Sequence, residues 1–245
     1  MEPERDRLYI TVDLLIMTVR SGQLLLLLSR RKRPPCEGMW ALPGRFVGAE
    51  ESAEEAAGKL LAEMLPVPDP FMEQVYTFSD VARDPRGRVV SMAYLISVPW
   101  PKLEPLLSEP GTILRSFHLT AEGERICLTD ESGASVAEEE LAFDHARIIR
   151  TGLMRLRGKI DYSEIGFRFL EDPDAFSLGE LQSVFEAVLD SRLDTSNFRR
   201  FILSRYQRDG RLSEICKEEK RGRGRPAVLY RLETGNHAEN RREEK

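Results

Sequence analysis

Apolar and polar positions divide this chain into a β-rich first part and a mostly helical last part. Tyr9 to Val19 and Gln23 to Ser29 are apolar, β-branched-rich runs separated by Arg20-Ser21-Gly22, which predicts a hairpin. Phe71 to Phe78 and Val89 to Val98 predict two more strands flanking the polar loop Ser79 to Arg88, and short runs at Arg115 to Leu119 and Arg125 to Leu128 complete a mixed sheet. Between the hairpin and these strands lie a basic loop, Arg30 to Arg33 before Pro34-Pro35, and the segment Trp40 to Val47. An amphipathic helix follows, with Ser52 and Glu55 spaced as a capping box. A longer helix is predicted over Glu138 to Lys159, where Leu141, Ile148, Ile149, Leu153 and Leu156 recur at near-helical spacing.

The pattern changes from Phe176. Ser177 to Leu189 places Leu178, Leu181, Phe185 and Val188 on one stripe, and Asp194-Thr195-Ser196 offers an N-cap for a second helix, Asn197 to Tyr206, with Phe198, Phe201 and Ile202 inward. Leu212 to Cys216 and Val228 to Leu232 then pair as strands around the basic tip Lys217 to Pro226. Helix, turn, helix and hairpin outline a winged helix-turn-helix. The expected organisation is a first domain over 1–160, a boundary over 161–174, a winged domain over 175–233 and a charged tail over 234–245.

Composition fits two domains, since 245 residues with 41% hydrophobic content can fill two cores. Apolar runs such as Leu24 to Leu28 are too short to span a bilayer, and the charged N-terminus does not read as a signal peptide, so a cytoplasmic protein without a membrane partner is expected. Cys36, Cys127 and Cys216 are odd in number and dispersed, which argues against a disulfide framework or a zinc motif. His118, His145 and His237 are equally scattered.

Charge is distributed unevenly. Arg192 to Arg231 holds twelve Lys and Arg against five Asp and Glu, a local balance of +7, while the whole chain carries -5. Such asymmetry points to nucleic-acid contact by one domain. In Lys220 to Pro226 glycines alternate with arginines, which lets the backbone approach a phosphate or a narrow groove. The run resembles an AT-hook core, R-G-R-P, but its position between two predicted strands favours a wing over a free AT-hook.

The segment Leu42 to Pro66, LPGRFVGAEESAEEAAGKLLAEMLP, carries the other chemical signal. With Trp40, Pro43 and Gly44 before it, it resembles the Nudix box, G-x5-E-x7-R-E-U-x-E-E-x-G-U, where U is aliphatic. Arg45 stands at the first Gly, Glu51 matches the first Glu, Lys59 replaces Arg and Leu61 matches U. Leu60 stands for the first helical Glu, Glu63 keeps the second, Met64 replaces the third and Pro66 takes the final Gly. Residues 60, 63 and 64 share one helical face, so three carboxylates there could converge on Mg2+, which demands oxygen ligands. Leu60 and Met64 supply none. Glu51 and Glu63 are weak metal candidates, and no cofactor is expected; Mg2+ would enter only with residual hydrolase activity.

A Nudix-like domain joined to a winged domain resembles the Nudix-related transcriptional regulators of the NrtR family. The resemblance spans nearly the whole chain. It rests on L-P-G-x-F-V at Leu42 to Val47, Y-T-F at Tyr76 to Phe78, R-D-P-R-G-R at Arg83 to Arg88 and L-A-F-D-H at Leu141 to His145. Further on come L-D-x-x-N-F-R-R at Leu193 to Arg200 and G-R-P-A-x-L-Y-R at Gly224 to Arg231. It implies an α+β protein: a Nudix-like α/β/α mixed-sheet domain followed by a winged helix-turn-helix, acting as a homodimeric repressor on double-stranded operator DNA.

It further implies a small effector, ADP-ribose or a sugar derivative, and a site drawn from Arg30, Arg31, Arg45, Phe46, Lys59, Glu63, Arg83 and Arg86, because guanidinium forks suit phosphates. For DNA it implies Thr195, Ser196, Asn197, Arg199, Arg200 and Arg205 on the second helix and Arg221, Arg223 and Arg225 on the wing. Two other readings stay open. One is an active Mg2+-dependent hydrolase of a nucleoside-diphosphate-type substrate, with acidic residues such as Glu50 in partial substitution. The other is a sequence-indifferent nucleic-acid binder using the Arg-Gly tip.

Overall fold

The computed structural model describes residues 7–67, 70–219 and 227–233. The first hairpin forms as expected, with β1 over Tyr9–Arg20 and β2 over Gln23–Arg30 joined through Ser21 and Gly22, both at positive φ. Short strands β3 (Trp40–Ala41) and β4 (Gly44–Phe46) lead into α1 (Ala53–Met64), and Ser52 and Glu55 make the reciprocal capping bonds. Then follow β5 (Phe71–Phe78), β6 (Val89–Ser97), α2 (Trp100–Leu107), β7 (Leu114–Glu122), β8 (Arg125–Thr129) and β9 (Ser135–Val136).

These strands make one mixed sheet in the order β5-β6-β1-β2-β7-β8-β9, with β3 added to β2 and β4 to β1. β1 runs parallel to β6 and antiparallel to β2 and β4. Helices cover both faces, which is why β1 is buried along both of its sides rather than alternating. Val12, Leu14 and Ile16 pack with Ala56, Ala57, Leu60 and Leu61 of α1, while Leu15 and Met17 face α3 (His145–Ile160) through Ile148, Ile149 and Leu153. Gly152 lets α3 lie close to β1, because a Cβ there would run into the Leu15 side chain.

The helix expected over Glu138 to Lys159 is a correction. Glu138–Glu140 is a separate 3-10 turn, and α3 begins only at His145. Between them Leu141 bridges to Trp40 and Phe143 takes a left-handed φ of 53°. The apolar spacing persists through the break because Leu141 is buried from an extended segment.

The expected boundary 161–174 holds a 3-10 turn, Glu164–Phe169, whose Ile165, Phe167 and Phe169 are buried with Leu170 in the cluster that also contains Leu153 and Phe185. β10 (Phe176–Ser177) then pairs with β12 (Ala227–Leu232), which pairs with β11 (Leu212–Glu219), while α4 (Leu178–Leu189) and α5 (Thr195–Ile202) complete the winged unit. α5 is shorter than expected, since Leu203–Gln207 widens into a π turn. Asp190 at φ 54° ends α4, and Glu186 ties that end to the Leu193 N–H and to Arg192. α3 and α4 pack together, and Arg157 Nε donates to the Val188 carbonyl at 2.8 Å. Among the described residues no helix is long and apolar enough to cross a membrane.

Candidate functional site

Three arginine-bearing segments converge beside β1. The β4 strand lies directly on β1, pairing Thr11 with Phe46, Val12 with Arg45 and Asp13 with Gly44. Gly44 is required by this approach, because a Cβ would collide with the Asp13 carboxylate and the Val12 carbonyl oxygen. The 79–88 loop and the start of α3 close the other sides. Together they border a half-open cavity of about 200 Å³ lined by Thr11, Asp13, Arg31, Arg45, Phe46, Arg83, Asp84, Arg86, Phe143 and His145. Larger grooves exist, including one of about 1140 Å³ between the β1–β2 turn and α4, which lies away from the box loop.

Beneath the cavity is a buried polar network. Arg83 donates from Nε and Nη2 to the two carboxylate oxygens of Asp144, at 3.0 and 2.7 Å, and its Nη2 lies 3.6 Å from Asp13. Ser91 Oγ also donates to Asp13. The Leu42 N–H donates to His145 Nδ1 at 2.9 Å, so the ring hydrogen belongs on Nε2, which faces Asp13 Oδ1 at 3.6 Å. Complete burial holds the His145 pKa below its usual value, although Asp13 and Asp144 oppose this. The imidazole is therefore neutral and fastens the box loop to α3.

Arg83 was expected as a ligand residue. Its side chain is only 3% exposed and is committed to Asp144, so its first role is structural. Arg86 is different. It lies 39% exposed on the loop, bound to Asp84 by Nε and Nη2, while its Cζ sits 4.9 Å from the Phe46 ring centre and 5.2 Å from that of Phe143. Burial opposes ionisation of Asp84, but the hydrogen bonds from Arg86 outweigh it and hold the carboxyl below the usual range. Arg31 covers Phe143 at 4.7 Å and donates to the Pro35 carbonyl.

Three expected site residues fall outside this cavity. Arg30 stacks over Trp40 instead. Lys59 reaches Glu51 Oε2 at 2.8 Å, and Glu63 is 68% exposed with Arg45 Nη1 at 3.8 Å. Residues missed by the sequence reading are Thr11, Asp13, Asp84, Phe143 and His145. Asp13 had a usable signal, an acid inside an otherwise apolar strand. Phe143 and His145 lie in the L-A-F-D-H motif but became site candidates only once the helix break was visible.

The box does not fit a divalent metal. Glu51 Oε1 accepts from the Gly48 N–H at 2.8 Å and from Arg45 at 3.1 Å, while Lys59 takes Oε2. The Lys59 hydrogen bond, then the Gly48 N–H, lowers the Glu51 pKa. Leu60 is buried under the sheet, and Met64 packs with the same cluster. The protein's own cations thus occupy the carboxylate that a metal would need.

On the winged unit, Asp194 caps α5 by accepting from the Asn197 N–H, and Phe198 and Ile202 face inward. Thr195, Ser196, Asn197, Arg199 and Arg200 are all exposed on the outer face. Arg200 is braced by Asn197 Oδ1 at 2.8 Å, and Arg199 by the Tyr230 hydroxyl at 3.2 Å. Arg205 is a correction: past the end of α5, its Nη2 donates to the Tyr162 carbonyl at 3.0 Å, which turns it toward the boundary segment that follows α3. The wing residues Arg221, Arg223 and Arg225 lie outside the described residues.

Comparison with known proteins bears on both parts of the chain. Residues 166–232 match the NrtR DNA-binding winged helix domain family. The chain is 31% identical over 224 residues, 91% of its length and 81% of the relative's, to an ADPR responsive transcriptional repressor of Acinetobacter baylyi. It is also similar to the crystal structure of Shewanella oneidensis NrtR complexed with a 27mer DNA, at 29% identity and a TM-score of 0.73, covering 91% of this chain and 93% of that one. Over 147 residues, 60% of this chain and 76% of the relative, it is 28% identical to an ADP-ribose pyrophosphatase of Methanocaldococcus jannaschii.

Proposed function

The chain belongs to the NrtR family of Nudix-related transcriptional regulators, and from that premise we propose that it represses transcription until ADP-ribose fills the cavity beside β1. The observation that carries this reading is the pairing of an arginine-lined, metal-unfit box with an exposed, braced recognition helix in one chain. Arg31, Arg45 and Arg86 supply guanidinium groups for a diphosphate. The outer face of α5 enters the major groove, with Asn197, Arg199 and Arg200 at bases and phosphates, and a homodimer sets two such helices about 34 Å apart on paired half-sites.

Coupling needs a part that reaches from the cavity to the winged unit, and α3 does, since α4, on which it packs, in turn contacts α5. Its first residues hold Arg83 and the box loop through Asp144 and His145, and its last turns pack on α4 through Arg157. The effector acts by binding the DNA-competent form and the released form unequally, with α3 as the element it displaces. The pyrophosphatase relative favours a second reading, Mg2+-dependent hydrolysis, against which stand Leu60, Met64 and the occupied Glu51. Equilibrium binding of ADP-ribose to the full chain with Mg2+ and with EDTA separates the two. Equal affinity in both and no turnover support the sensor, whereas Mg2+-dependent AMP release would establish the hydrolase.

A further inference from the structure

Both ends of α5 are tied, and to different helices. Its start follows α4: Glu186 accepts from the Leu193 N–H, and Gln182 Nε2 donates to the Leu193 carbonyl, each at 2.9 Å. Its end, the π turn Leu203–Gln207, follows α3. Arg205 Nη2 donates to the Tyr162 carbonyl at 3.0 Å and the Tyr206 hydroxyl to the Ser163 carbonyl at 2.9 Å, while Arg211 Nη1 pairs with Glu164 at 3.2 Å. The turn that receives them is fastened to the end of α3, since the N–H groups of Tyr162 and Ser163 and the Ser163 hydroxyl all donate to the Lys159 carbonyl. We propose that Tyr206 is a positioning residue for DNA recognition: its bond to the 162–164 turn, flanked by those of Arg205 and Arg211, makes the tilt of α5 follow α3. The inference rests on the repressor reading, in which the effector displaces α3, and adds to it the contact through which that displacement reaches the DNA-binding helix.

The route through α4 is apolar where it meets α5, with Phe185 edge-on to Phe198 at 5.1 Å, and packed helices can absorb a shift by sliding. A hydrogen bond weakens steeply outside a narrow range of length and angle, so the contacts at the other end pass the shift on. Tyr206 is the most firmly held of the three donors. It is 1% exposed, its ring lies edge-on to Phe167 at 5.0 Å, and the Arg211 guanidinium covers it at 4.8 Å. The π turn that carries it is a rare form of helix and one frequent at functional sites. Helix shifts in switching proteins are about 1–2 Å. Delivered to one end of a helix about 20 Å long from Leu193 to Tyr206, with the other end held by α4, such a shift tilts it by about 3–6°. That re-aims Asn197, Arg199 and Arg200 together.

The test is anisotropy of a labelled duplex from the region upstream of the protein's own gene, bound by the full chain with and without saturating ADP-ribose, reading the ratio of the two dissociation constants. Wild type is expected to show a ratio well above one. Tyr206→Phe keeps the buried ring and deletes one donor, and is expected to lower the ratio about fivefold, the share of one neutral hydrogen bond. A purely structural role for the hydroxyl would weaken DNA binding equally in both arms and leave the ratio where it was. An unchanged ratio in Tyr206→Phe therefore overturns the clamp, whatever the variant's melting temperature, and leaves coupling through α4 standing. A wild-type ratio of one, with ADP-ribose shown by calorimetry to be bound, overturns the coupling itself.

Discussion

Replacing Arg83 with Leu separates a structural role from a ligand role at one residue. The guanidinium makes two short bonds to Asp144 and lies 3.6 Å from Asp13, with side-chain exposures of 3% for Arg83, 15% for Asp144 and 8% for Asp13. Removing it leaves two carboxylates in a poorly solvated site without their cation. Breaking a buried pair in this way costs about 3–5 kcal/mol, against about 0–1 kcal/mol for an exposed one. In a chain of this size that lowers the thermal midpoint by roughly 6–20 °C. Urea and thermal unfolding of Arg83→Leu should show this loss without ligand present. Adding Asp144→Leu should return part of it, because the stranded charge is then gone, whereas Arg83→Lys should recover little of the two-pronged bond. A loss below about 1 kcal/mol, accompanied by selective loss of ADP-ribose binding, would refute the structural assignment and restore Arg83 to the ligand set.

Other consequences are open to measurement. His145 is held neutral by burial, so its folded-state pKa lies below the usual 6.5. The unfolded chain then binds more protons below that value, and stability is full above it and declines as pH falls toward the folded pKa. Unfolding free energy measured from pH 7.5 to 5.5 should therefore fall in wild type and flatten in His145→Asn; parallel profiles would sink this account. Arg199→Ala with Arg200→Ala should abolish tight operator binding and reduce the salt dependence by about one counterion for each lost phosphate contact, as read by anisotropy at several salt concentrations. Gly152→Val should destabilise the fold by about 1–3 kcal/mol in urea titration, since α3 must move off Leu15. Introducing Glu at both Leu60 and Met64 should not create turnover, because Arg45 and Lys59 still occupy Glu51; vigorous Mg2+-dependent hydrolysis by that variant would show that the missing carboxylates alone silenced the box.

Much of the architecture could be read from the chain because it is written in local rules. Ser52 with Glu55 and Ser177 with Glu180 are capping boxes at the helix starts, and the Ser21-Gly22 turn lies between two apolar runs. The break before α3 was hidden because Leu141 stays buried in an extended segment, so hydrophobic spacing continued where the helix did not. The site was only partly visible. Arg31, Arg45, Phe46, Arg83 and Arg86 do meet at the cavity, yet residue type could not distinguish Arg86, half-exposed and paired with Asp84 on its own loop, from Arg83, locked beneath it by Asp144. Arg30, Lys59 and Glu63 found local partners that a basic-residue count cannot show. Asp13, Phe143 and His145 come from segments more than a hundred residues apart and are joined by tertiary pairing alone.

The central claim is that one chain couples an ADP-ribose cavity to a DNA-binding helix. Its most direct test is fluorescence anisotropy of a labelled duplex from the region upstream of the protein's own gene, titrated with the full chain in EDTA, with and without ADP-ribose. The account predicts tight, sequence-dependent binding that ADP-ribose weakens, with that response altered by Phe46→Leu and binding itself lost in Arg199→Ala with Arg200→Ala. DNA affinity that is unchanged by ADP-ribose at concentrations shown to occupy the cavity would contradict it.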